Sequence, residues 1–133
     1  MIVLDACVLS DALADDGRVG TSARRALTVD PHWAAPAHLL VEVVSVIRGR
    51  AMAGKLGPAR AREAIDALPT LVVDQIPSAE LVERIWQLRD NLTAYDAGYV
   101  AAAELLGCAL LTGDARLAKA PGVRCEIRLP STV

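Results

Sequence analysis

The stretch Asn91–Asp114, NLTAYDAGYVAAAELLGCALLTGD, decides the fold. Thr93 is placed to cap a helix, and Asp96 stands three residues later in the first turn. Gly107 ends the apolar helix, and Cys108–Leu111 is long enough for a short buried strand. Thr112-Gly113-Asp114 then sets a second carboxylate just beyond the strand's C-terminal end. One αβ unit thus delivers two acids to points that can lie close together.

Upstream, Ile2-Val3-Leu4 is a β-rich apolar run expected as a central strand, closed by Asp5. Ala6–Leu13 has helical spacing, and Asp15-Asp16-Gly17 signals a turn. Thr21-Ser22 predicts a helix through Val29, and His32–Ala35 a brief strand. Ala37–Ala53 is predicted as a helix whose stripe is Leu40, Val43, Val44 and Ile47, broadened by Leu39 and Val46. A helix over Ala59–Leu68, a strand over Leu71–Ile76 and a helix over Ala79–Arg89, with Leu81, Val82, Ile85 and Leu88 inward, complete the middle. After Asp114, Ala115–Ala120 reads as a helical turn and Val123–Leu129 as an edge strand. Strands separated by helical segments predict a single α/β domain over residues 1–133, a three-layer αβα sandwich around a largely parallel sheet.

Composition narrows the class. Apolar residues make up 53% of the 133, and Phe is absent, so packing must rest on aliphatic side chains. The apolar runs are too short to span a bilayer, and Met1–Leu9 lacks the basic start of a signal peptide. Cys7, Cys108 and Cys125 show no CxxC spacing and suit reduced thiols in a cytoplasmic protein. Net charge is −2, but residues 18–62 hold eight of the fourteen Lys and Arg against only Asp30 and Glu42. That local +6 is a solvated face unless a phosphate-handling site lies beside it, in which case it would hold a polynucleotide backbone.

In open α/β sheets, sites form beyond the carboxyl ends of the strands. Asp5 and Asp114 both project from that edge, while Glu42 and Asp96 begin helices that can bring their N-termini to the same rim. Taken singly, Asp5, Asp96 and Asp114 are equally well explained as helix caps, and Glu42 as the partner of an arginine. Four independent structural acids need not converge, however. Clustered carboxylates repel one another and call for protons or a cation. Oxygen ligands without His or Cys favour Mg2+, with Mn2+ able to take its place, over zinc. Such an ion can activate a water against a phosphodiester.

On IVLDACVL, PAHLLVEVVSVI, LTAYDAGYVAAAELLG and ALLTGD the chain resembles the PIN-domain ribonucleases, and more closely the VapC-like toxins of toxin–antitoxin pairs. The resemblance spans essentially the whole length. It implies that Asp5, Glu42, Asp96 and Asp114 bind the metal of an Mg2+-dependent endoribonuclease toxin and that Thr112 orients ligands or water. It further implies an RNA substrate, a cognate antitoxin and a homodimer. Arg24, Arg25, Arg48, Arg50 and Arg116 are the candidate RNA contacts. Two departures stand out. Cys7 occupies a position often Ser, Thr or Asn in the family, and Arg116 lies where many relatives carry a further acid. They leave open a catalytically weak protein that acts by binding RNA or antitoxin. A haloacid-dehalogenase-like phosphatase fits less well, since Asp5-Ala6-Cys7 is not Asp-x-Asp, and a receiver domain, which wants paired acids at the first strand and a lysine after a late strand, matches poorly. His32 and His38 have no ligand spacing. Trp33 and Trp86 are expected in packing or an interface, and Tyr95 and Tyr99 in packing unless they stack on a base.

Overall fold

A computed structural model describes residues 1–132, so Val133, the last residue of the expected domain, lies outside them. Five strands form one parallel sheet in the order β3-β2-β1-β4-β5: β1 is Ile2–Leu4, β2 Trp33–Pro36, β3 Val73–Ile76, β4 Ala109–Leu111 and β5 Ile127–Arg128. The first strand is central, and the chain winds outward from it in both directions. The order therefore reverses between β1 and β4, the place where such sheets open a crevice.

Helices α1 (Ala6–Ala14), α2 (Arg18–Val29), α3 (Leu39–Met52) and α4 (Pro58–Ala67) pack on one another. Helix α6 (Ala94–Leu106) lies against β1, β2 and β4, with α5 (Val82–Gln87) beside it. Right-handed crossovers running in opposite directions put these two groups on opposite faces, giving the three-layer α/β sandwich. Every residue from Ala97 to Ala103 is buried, because alanines let α6 approach the sheet closely. Val3, Leu4, Val8, Val43, Val100 and Leu110 fill the centre, with the Tyr99 ring buried beside them.

Several boundaries differ from expectation, each for a local reason. Helix α2 starts at Arg18 rather than at Thr21, because the Asp15 carboxylate accepts from the amides of Gly17 and Gly20 and caps the helix from outside. On α3 the buried stripe is Leu39, Val43 and Ile47, and Val44 faces solvent with Val41. The expected Ala79–Arg89 helix is a 3-10 turn at Ser78–Glu80 followed by the short α5, and Val82 points outward. Residues Ala115–Lys119 form a 3-10 helix. Only Ile127–Arg128 of the expected last strand pairs with β4. The Arg124 amide before it donates to the Glu104 carboxylate, and Arg84 donates to the Gly122 carbonyl, so side chains hold that segment in place of a ladder.

Candidate metal centre

The end of β1 puts Asp5 at the N-cap of α1. Its Oδ1 accepts from the Val8 amide at 2.9 Å, satisfying a donor that the helix start leaves open. Its Oδ2 accepts from the Thr112 hydroxyl at 2.5 Å. Thr112, fully buried just past β4, also accepts from the Asp114 amide at 3.0 Å. Donor and acceptor capacity of this one hydroxyl are thus both used across the strand-order reversal, and Asp5 and the Asp114 turn are fixed relative to each other. Burial, with the Glu42 and Asp96 charges adding to it, raises the Asp5 carboxyl from 3.8 to about 6, although the Thr112 and Val8 hydrogen bonds oppose the shift.

Glu42 lies in the first turn of α3, where its carboxylate accepts from the Tyr99 hydroxyl at 2.5 Å. Tyr99 is 2% exposed, and burial together with this hydrogen bond pushes its phenol well above the usual range, so the hydroxyl is a fixed donor. Asp96 sits in the first turn of α6. Its amide donates to the Thr93 hydroxyl of the cap, while its half-buried carboxylate accepts no hydrogen bond from the described residues. Asp5, Glu42 and Asp96 line one cleft of about 180 Å3, together with Cys7, Val46 and Tyr99.

Asp114 lies outside that cleft. It lines two neighbouring ones, one shared with Asp96 and Arg116, the other with Cys7 and Arg18. As the N-cap of the 3-10 helix it accepts from the Arg116 amide, and its carboxylate is gripped by the Arg116 guanidinium at 2.8 Å, which holds it below the usual carboxylate range. The structure therefore brings three of the four sequence-derived acids into one cleft and ties the fourth to it through Thr112. Among the described residues, no three His, Cys, Asp or Glu side chains already stand as a metal-ligating group. The donor set nonetheless suits a hard divalent cation: three carboxylates line one partly buried cleft, where burial first, and the Glu42 and Asp96 charges after it, disfavour the ionised form of Asp5.

The basic candidates divide. Arg24 donates to the carbonyls of Ala12 and Asp15, and Arg50 pairs with Asp11 at 2.6 Å, so both brace α1. Arg25 and Arg48 are exposed and without a partner among the described residues. Of the five, Arg116 alone shares a cleft with an acid of the site. Arg18, which the charge count included without singling out, lines the cleft with Cys7 and Asp114. The role of Tyr99 is not legible in the sequence. Its i, i+3 spacing from Asp96 put both on one helix face, but its partner Glu42 lies 57 positions away and only packing reveals it.

Residues 2–123 match the PIN-domain family. Ribonuclease VapC1 of Mycobacterium tuberculosis is 44% identical over 128 residues, 96% of each chain, and Ribonuclease VapC9 of the same organism is 40% identical over 127 residues, again 96% of each. The fold is also that of a toxin–antitoxin complex chain from Klebsiella pneumoniae, with a TM-score of 0.60 at 23% identity over 98% of both chains. The chain belongs to the PIN-domain family and, within it, to the VapC ribonucleases.

Proposed function

We propose that this protein is an Mg2+-dependent endoribonuclease, the toxin of a toxin–antitoxin module, and that Mn2+ can replace Mg2+. The observation that carries the reading is the cleft in which Asp5, Glu42 and Asp96 meet at the reversal of strand order, with Thr112 locking Asp5 to the Asp114 turn. When bound, Mg2+ supplies the polarisation that makes a water nucleophilic and offsets charge on the phosphodiester. Asp5, Glu42 and Asp96 would hold it through carboxylate oxygens, and Asp114 would be a further ligand only with its Arg116 pair broken. Tyr99 keeps Glu42 facing the cleft, and Thr112 does the same for Asp5. A released Arg116, almost fully exposed, is then free to contact phosphate beside Lys119, which lines the same cleft.

The module reading also entails an antitoxin partner, a homodimer and a cytoplasmic site of action. The Klebsiella neighbour was seen in a toxin–antitoxin complex, and no helix among the described residues is long and apolar enough to cross a membrane. The Arg116–Asp114 pair and the exposed Cys7 favour a second reading, a weak enzyme acting by binding RNA or antitoxin. Cleavage of cellular RNA by the purified chain separates the two. Activity is expected with Mg2+ or Mn2+, and loss of at least a hundredfold with EDTA or in Asp96→Asn. Equal cleavage by both proteins without metal sinks the mechanism, and metal binding without turnover selects the second reading.

A further inference from the structure

A second cleft, of about 350 Å3, shares Glu42 with the acid cleft and is otherwise lined by His38, Val41, Ser45 and Tyr95. Tyr99 is swallowed by the core, but Tyr95, four residues earlier, is 62% exposed, as is Val41 at 74%. Exposed as it is, the Tyr95 ring is braced. His38 stands edge-on to it at 5.7 Å and 82°, and edge-on to Tyr99 at 5.0 Å and 76°. Gly98 makes room for that imidazole, since a Cβ there would lie 2.5 Å from His38 Cε1. The His38 Nε2 is buried with no hydrogen-bond partner among the described residues, an unfavourable placement. The result is a continuous string of contacts, Glu42–Tyr99–His38–Tyr95, joining a carboxylate of the acid cleft to an exposed aromatic face.

From this geometry, and resting on the ribonuclease reading above, we propose that Tyr95 is the stacking platform for one unpaired nucleobase next to the scissile phosphate, with Val41 as the opposite wall. The two clefts share Glu42, and Asp96 immediately follows Tyr95, so a nucleotide whose phosphate lies at the acids has its base within reach of this ring. Base stacking requires a single strand, which makes the substrate an unpaired loop or end, and a stacking face tolerates any base. Tyr95 is thus a binding and positioning residue for the substrate.

The test measures binding of two probes in an Asp5→Asn background, in Mg2+: a random-sequence single-stranded oligoribonucleotide, and an abasic ribose-phosphate oligomer of equal length. Tyr95→Ala is expected to weaken the base-bearing oligomer about tenfold and leave the abasic one unchanged, while Tyr95→Phe keeps wild-type affinity. In the active protein Tyr95→Ala raises KM more than it lowers kcat. An equal loss for both oligomers, or no loss for either, overturns the subsite while leaving the ribonuclease reading intact. A shift in oligomeric state by light scattering with RNA affinity unchanged assigns the face to a protein contact and likewise overturns it. Absence of any RNA binding or cleavage by the wild-type chain brings down the ribonuclease reading, and the subsite with it.

Discussion

Asp5 shows how one residue serves fold and site at opposing cost. As an N-cap it stabilises α1, yet burial raises its carboxyl from 3.8 to about 6. A carboxyl with a higher pKa folded than unfolded stabilises the fold most when protonated, below about pH 4, and that stabilisation is lost as pH rises through about 6. Near neutral pH the metal-free protein therefore carries a penalty of up to about 3 kcal/mol at this position. Asn caps as well as Asp and bears no charge. Asp5→Asn should accordingly raise the stability of the metal-free protein near neutral pH, show no gain near pH 4, and lose cleavage, as checked by denaturation in EDTA at both pH values and by an RNA assay. Tyr99→Phe keeps the buried ring and deletes the hydroxyl that holds Glu42. It should cost about 1–2 kcal/mol of stability and lower Mn2+ affinity roughly tenfold in calorimetry, since in the proposed site the hydroxyl would orient a ligand rather than bind the ion.

Among the elements, α6 contributes most to the site. It ends where the sequence says it should: Gly107 adopts φ 64°, and its amide closes onto the carbonyls of Ala103 and Glu104. Its small residues matter individually. Gly98→Ala must displace the His38 ring and should destabilise the protein by about 1–3 kcal/mol, despite the better helix propensity of alanine. Gly49→Ala, on the open face of α3 with nothing near its would-be Cβ, should instead stabilise by about 0.5–1 kcal/mol. Urea denaturation of the two variants beside wild type gives both signs in one experiment. The caps of α1 and α6, the glycine stop and the parallel order were legible in sequence because each depends on neighbours in the chain. The start of α2 and the short β5 were not. Asp15 caps α2 from outside the helix, and Glu104, 20 positions away, draws the Arg124 amide away from the sheet, so carboxylates that lie outside the two elements set their limits.

For the whole molecule, metal occupancy should be coupled to protonation. Protons compete for the Asp5 carboxylate, so Mn2+ affinity should fall as pH drops through about 6, by roughly tenfold per pH unit well below it, in calorimetric titrations. The basic excess of residues 18–62 leaves fewer free cations for the proposed RNA contact than its count suggests. Arg24 is bound to backbone carbonyls, and Arg50, Arg60 and Arg62 are paired with Asp11, Asp16 and Asp66. The sequence by itself determined the α/β class, the helix starts that carry Asp5 and Asp96, and the Thr112-Gly113-Asp114 turn, because capping and strand-end chemistry are local. Tertiary structure alone decided that Asp5, Glu42 and Asp96 share a cleft, that Tyr99 lies inside and Tyr95 outside, and that His38 bridges them. Those outcomes depend on which helix faces meet across the sheet, and no spacing along the chain records that.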